Sequence, residues 1–217
     1  MIKAVIFDFD GTLADRNKAI CIAYRQFLLE HVVNTDINKI DLETMVQQLI
    51  GLDQNGASDK QYVFEKFNRM FGYHVDYRFF REWWMHNLGK YEQLYDDTLD
   101  TLQYLKGKYD LAIITNGSTI SQNMKIDNCQ IREYFKAILI SQQCGVAKPD
   151  SAIFNMALKQ LNISAKQAIY VGDSYYNDIY GAYKANIKPV WINKQPGIFN
   201  SDGIDCITSL SQLKNIL

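Results

Sequence analysis

Short apolar runs recur along the 217-residue chain, each bounded by polar or glycine-containing turns: "AVIFDF" at 4–9, "LAIIT" at 111–115, "AILIS" at 137–141, "AIYVG" at 168–172 and "PVWIN" at 189–193. Each is too short for a buried helix and is apolar at both odd and even positions. That pattern predicts parallel strands covered on both faces. Between them, "LDTLQYLKGKY" (99–109), "SQNMKIDNCQIREYF" (121–135), "DSAIFNMALKQLN" (150–162) and "SYYNDIYGAYKAN" (174–186) carry the apolar spacing of helices. Strands alternating with helices predict an α/β fold, a doubly wound parallel sheet. The first strand breaks the rhythm, because nearly a hundred residues separate it from the second. Over 15–94 the chain reads instead as helices, in "NKAICIAYRQFLLEHV", "IDLETMVQQLIG", "KQYVFEKFNRMFG" and "YRFFREWWMHNLGKYEQL". This predicts a core domain of 1–14 and 95–217, with a smaller all-helical domain of 15–94 inserted after strand one.

A hydrophobic fraction of 47% with 22% charged residues is that of a folded globular chain. The formal charge of −1 provides no global field to recruit nucleic acid or an anionic membrane, so any phosphate-bearing ligand must be held locally. Cys21, Cys129, Cys144 and Cys206 are scattered and form no metal or disulfide pattern. His31, His74 and His86 fit no ligand spacing. With no signal-peptide pattern and no long apolar stretch, the expectation is a cytoplasmic protein without membrane partners, monomeric or homodimeric. Most aromatic residues between Tyr62 and Trp84 are expected to form the inserted domain's own core, since a small domain needs bulky residues to bury enough area.

In an open parallel sheet, ligands bind beyond the carboxyl ends of the strands. The predicted strand ends carry "DFDGT" (Asp8, Asp10, Gly11, Thr12), "TNGS" (Thr115, Asn116, Gly117), "SQQCGVAKPD" with Lys148, and "GDSYYND" (Asp173, Asp178). Taken singly, each has a plainer reading. The aspartates could cap helices or close turns, Thr115 and Asn116 could simply end a strand, and Lys148 could be a solvated loop lysine. Together they bring several carboxylates, one lysine and two glycine turns to one sheet edge. Alternation along a strand predicts that Asp8 and Asp10 point the same way, with Phe9 opposite.

These four stretches, in this order, resemble the haloacid dehalogenase-like (HAD) hydrolase superfamily, and "DFDGTL", "VAKPDSAIF" and "VGDSYYND" match beyond the functional positions. The likeness covers the predicted core, and the helical insertion resembles the helical cap of one branch of that superfamily. What the resemblance implies is a Rossmann-like core with a phosphatase site on a small phosphorylated metabolite. Asp8 would be the nucleophile that forms an aspartyl-phosphate, and Asp10 the acid and base. Mg²⁺ would be held by the Asp8 and Asp173 side chains and the Asp10 carbonyl, offsetting the mutual repulsion of the carboxylates. Asp178 would belong to the same metal set, as a ligand or as a partner that orients the ligands, the second being preferred. Thr115, Lys148 and the backbone around Gly11, Thr12, Asn116 and Gly117 would bind the phosphoryl group.

The same core also supports other chemistry. A 2-haloacid dehalogenase needs no Mg²⁺ and typically lacks the second aspartate of the first motif, so Asp10 favours phosphate chemistry. The stretch "ADRNKAICIAYRQFL" lacks the histidine-containing hinge pattern of sugar phosphomutases, and Lys18 is not marked out as the Schiff-base lysine of a phosphonate hydrolase. A non-catalytic phosphate-binding module is the remaining alternative. Arg16 and Asn17, where such caps begin, could touch substrate.

Overall fold

The computed structural model describes residues 1–56, 58–194 and 203–217. The chain divides into two compact units, Met1–Asp15 with Leu94–Leu217, and Arg16–Gln93.

The first unit is built on six parallel strands, β1 (Ala4–Phe7), β2 (Asp110–Thr115), β3 (Ala137–Ile140), β4 (Ala168–Gly172), β5 (Lys188–Ile192) and β6 (Asp205–Ile207), in the order β3-β2-β1-β4-β5-β6. Continuous apolar runs pair in parallel because both faces are covered. Val5, Phe7, Leu111, Ile113, Ile169 and Val171 enter one hydrophobic cluster, while Ala4, Ile6, Ala112, Ile114, Ala168 and Tyr170 enter the other. The sheet is thus doubly wound, and β1 lies between β2 and β4 at the point where strand order reverses.

Some elements differ from the expectation. The sixth strand is only "DCI", half exposed, and carries too little apolar signal to be seen. The first strand ends at Phe7, because from Phe9 the chain turns back: the Leu13 and Ala14 N–H groups donate to the Phe9 carbonyl at 2.9 and 3.1 Å. The helices of this unit are shorter than their apolar patterns: α5 (Thr98–Leu105), α6 (Thr119–Asn128), α7 (Ser141–Cys144), α8 (Ser151–Leu161) and α9 (Gly181–Lys184). Much of the predicted 174–186 helix is a π-helix, Tyr175–Tyr180, in which the Ile179 N–H reaches five residues back to the Ser174 carbonyl. All four cysteines are free, and no helix among the described residues is long and apolar enough to cross a membrane.

The second unit contains α1 (Arg16–His31), α2 (Lys39–Asp53), α3 (Lys60–Phe71) and α4 (Tyr77–Asn87). Local chemistry sets several of their ends. Asn38, Asp59 and Asp76 each accept N–H bonds from the first turn of α2, α3 and α4, and Gly72 ends α3 with φ of 72°. Tyr24, Phe27, Phe64, Phe67 and Phe80 are fully or almost fully buried together, whereas Tyr62 and Phe79 are exposed. His31 packs edge-on against Phe79 and Trp83. Arg16 is bound inside this unit, to the buried Asp53 at 2.8 Å.

Candidate active site

The β1 ladder runs on for one residue, as the Asp8 N–H donates to the Val171 carbonyl at 2.9 Å, so the Asp8 carboxylate emerges at the carboxyl edge of the sheet. The turn that follows is close-packed. Gly11 has φ of +84°, and a Cβ there would overlap the Asp173 carboxylate, so only glycine fits. Asp173 follows β4 directly, and its carbonyl is fastened by the Trp191 indole N–H at 2.9 Å. The π-helix then brings Asp178 back over Gly172, where a Cβ would collide with the Asp178 side chain. Carboxylate oxygens of Asp8, Asp173 and Asp178 consequently lie within 4.8 Å of one another.

Lys148 sits at the centre of this group. Its ammonium, almost completely buried, donates to Asp8 Oδ1 at 2.6 Å, Asp178 Oδ1 at 2.7 Å and the Tyr170 hydroxyl at 3.1 Å. Burial alone would pull the lysine pKa down, but Asp178 and Asp8 outweigh it and hold the group above its ordinary value. Burial also holds the Asp8 carboxyl well above the usual carboxylate range; Lys148 pulls it down, and Asp178 and Asp173 push it further up. Asp173 is exposed on one side, yet its carboxylate is hemmed in by protein. That partial desolvation and the nearby Asp178 push it up to about 7 against the pull of Lys148.

Both Asp178 oxygens have partners: Oδ1 accepts from Lys148 and the Tyr170 hydroxyl, and Oδ2 from the Ser174 N–H at 2.9 Å. Asp8 Oδ2 has one weak contact, from Thr12 Oγ1 at 3.4 Å. An all-oxygen donor set with surplus negative charge suits a hard divalent cation such as Mg²⁺. Asp8 and Asp173 have more acceptor capacity left than Asp178.

The other candidate residues have the following partners. Asp10 is not one of the three gathered carboxylates: its Oδ1 receives the Lys125 ammonium at 2.5 Å and its Oδ2 the Gln122 amide at 2.9 Å. Thr115, buried at the end of β2, accepts from the same Gln122 amide at 2.5 Å. The Asn116 side chain clasps the Lys148 backbone in both directions, donating to its carbonyl at 3.0 Å and accepting its N–H at 2.9 Å. Of the backbone donors expected at the "DGT" turn and Asn116, the Gly11 and Thr12 N–H groups bond to the Ala14 carbonyl (2.8 Å) and the Phe9 carbonyl (3.3 Å), and the neighbouring Gly117 N–H bonds to Ser141 Oγ (2.9 Å).

Tyr170, Gln122 and Lys125 escape the sequence reading. Tyr170 is a polar-tipped residue in an otherwise apolar strand, and Gln122 and Lys125 are spaced three apart on a predicted helix, which reads as a solvated face.

A family model described as haloacid dehalogenase-like hydrolase matches residues 5–192, a span that contains every residue of this site. The chain belongs to the haloacid dehalogenase-like hydrolases. Among curated HAD relatives, it is 31% identical over 202 residues to the glyceraldehyde 3-phosphate phosphatase of Pyrococcus abyssi, covering 88% of this chain and 81% of that protein. It is 34% identical over 118 residues to the pyrimidine 5'-nucleotidase YjjG of Escherichia coli, about half of each chain (52% and 52%). Among solved structures, the HAD-hydrolase YfnB of Bacillus subtilis, bound to magnesium, superposes with a TM-score of 0.79 at 25% identity, covering 99% of this chain and 98% of that one. On these likenesses the chain is an enzyme, an HAD-like phosphatase.

Proposed function

We propose that the protein is a Mg²⁺-dependent phosphomonoester hydrolase acting on a small phosphorylated metabolite through an aspartyl-phosphate on Asp8. The observation that carries this reading is the grouping of Asp8, Asp173 and Asp178 within 4.8 Å around one buried lysine, which leaves negative charge in surplus. Asp8 and Asp173 would hold the ion through their side chains and Asp10 through its carbonyl. Asp178 would act through Lys148 and the Ser174 N–H, since both of its oxygens are already partnered. The bound ion would supply charge neutralisation between the nucleophile and the phosphoryl oxygens.

In the first step Asp8 attacks phosphorus, the bond from phosphorus to the ester oxygen breaks, and Asp10 gives its proton to the departing oxygen. In the second step Asp10 takes a proton from water, which attacks the aspartyl-phosphate and releases inorganic phosphate and free Asp8. Lys148 holds Asp8 in place and offsets the charge of the incoming phosphoryl group. Thr115 accepts from Gln122, so its own hydroxyl proton is available to a phosphoryl oxygen.

Triose and sugar phosphates, nucleoside monophosphates and phosphoglycolate are the first substrates to test, the first two classes because of the named relatives. The setting we propose is the cytoplasm, in keeping with four free cysteines. Phosphate release is measured from p-nitrophenyl phosphate and this panel, with and without Mg²⁺, for the wild type and Asp8→Asn. Turnover that needs both Mg²⁺ and Asp8 is expected; unchanged turnover in Asp8→Asn would refute the assigned nucleophile.

A further inference from the structure

Helix α6 starts at a Ser118 cap, whose hydroxyl accepts the Ser121 N–H, and Ile126 packs it into the cluster that holds Val5, Phe7 and Phe9. The same helix carries a glutamine and a lysine that are almost never so deeply buried: Gln122 is 2% exposed and Lys125 3%. Burying an ammonium is unfavourable unless it meets a carboxylate in good geometry. Here it does, and the carboxylate is Asp10, 115 residues away in sequence, which meets Lys125 at 2.5 Å. Gln122 adds a donor to the second Asp10 oxygen and, through the same nitrogen, reaches Thr115 Oγ1. With a donor from one rigid helix on each oxygen, the carboxylate is held in both position and plane. Thr115 is tied to it through a single amide.

We infer that Gln122 and Lys125 are positioning residues for phosphoryl transfer: they aim the Asp10 carboxylate at the ester oxygen and keep it at a set distance from Thr115. This rests on the reading of Asp10 as the acid and base. Neither residue touches substrate; both act through Asp10. A proton donor must sit within hydrogen-bond reach of the atom it protonates, so a loosened Asp10 loses most where the leaving group needs that proton most.

The test compares kcat/KM on p-nitrophenyl phosphate, whose phenolate departs readily without a proton, with kcat/KM on an alkyl or sugar phosphate, whose alkoxide does not. Lys125→Met is expected to lose about 10²-fold on the sugar phosphate and less than about tenfold on p-nitrophenyl phosphate. Gln122→Leu should show the same bias to a smaller degree, and Lys125→Arg should restore much of the sugar-phosphate rate. Equal losses on both substrates in a folded Lys125→Met protein would overturn the inference. A crystal structure of Lys125→Met provides a readout independent of turnover: the Asp10 carboxylate should leave its place beside Gln122, and an unmoved carboxylate would also overturn it. If the wild type hydrolyses no phosphate ester, the phosphatase reading fails, and that crystal structure still decides whether Lys125 positions Asp10.

Discussion

Among the described residues, each unit contains a buried ionic cluster built around one central group, a lysine in the α/β unit and a carboxylate in the helical unit. In the α/β unit Asp8, Asp173 and Asp178 gather around Lys148, three carboxylates to one ammonium. In the helical unit Arg16 and Lys60 both meet the fully buried Asp53, two cations to one carboxylate. Asp53 is fully engaged: Oδ1 accepts from Tyr24 at 3.1 Å and contacts Lys60, while Oδ2 accepts from Arg16 and the Gly56 N–H, each at 2.8 Å. Lys60 also lies over the Trp84 ring, 5.0 Å from its centroid. One cluster therefore has its central carboxylate satisfied by protein groups alone, whereas the other holds carboxylates that repel one another and has acceptor capacity left for a further cation. Neither burial nor unequal charge by itself marks a functional site; mutually repelling carboxylates with acceptor capacity left over do.

The largest effects should come from removing the centre of either cluster. Lys148→Met leaves Asp8 and Asp178 buried without their cation, and Asp53→Asn leaves Arg16 and Lys60 without their anion. Each is expected to lower stability by about 3–5 kcal/mol, measured by urea denaturation. The two should then part company on metal. Added Mg²⁺ should recover a substantial share of the stability lost in Lys148→Met and none of that lost in Asp53→Asn; equal recovery would erase the distinction between the clusters.

Asp173→Asn should act in the opposite sense, since it removes one of the mutually repelling carboxylates. Thermal denaturation should show the metal-free variant at least as stable as the wild type, with the Mg²⁺-induced rise in Tm largely gone. The wild type should show a related pH dependence. Burial and the nearby Asp178 push the Asp173 carboxyl up to about 7 in the folded chain, against about 4 for an unfolded aspartate. The folded state therefore holds this proton more tightly. Its contribution to metal-free stability is complete below pH about 4 and is lost as pH rises through about 7. Because Mg²⁺ competes with that proton, the Tm increment from added MgCl₂ should be larger at pH 8 than at pH 6.

The smallest effect is expected at Tyr170, whose hydroxyl donates to Asp178 Oδ1 at 2.9 Å and accepts from Lys148. Tyr170→Phe should lower stability by about 1 kcal/mol and retain the Mg²⁺-induced shift in Tm.

Much of the α/β unit was legible in the sequence because strands buried on both faces leave uninterrupted apolar runs, and β1, β2, β3, β4 and β5 all lie on such runs. The three-residue β6 leaves no such trace, and only its pairing with β5 makes it a strand. Asp8, Thr115 and Asp173 could be singled out because a parallel sheet brings its strand ends to one edge, so position along the chain already implies proximity, whereas Lys148, beyond a short helix after β3, was marked only by the "VAKPD" stretch that resembles the family. The relation between Asp8 and Asp10 was not legible. Alternation suggests a shared direction, but the chain leaves the strand at Phe7, and the two carboxylates go to different lysines.

The sequence by itself determined the strand and helix periods, the long helical insertion and which residues stand at the strand ends, because these follow from local side-chain patterns and chain connectivity. The tertiary structure alone decided that a second lysine, Lys125, meets Asp10, and how deeply both lysines are buried. Lys148 reaches Asp8 across 140 residues and Lys125 reaches Asp10 across 115. A lysine on an amphipathic helix looks solvated until a neighbouring turn covers it, and only folding supplies that cover, together with the desolvation that makes the pairing strong.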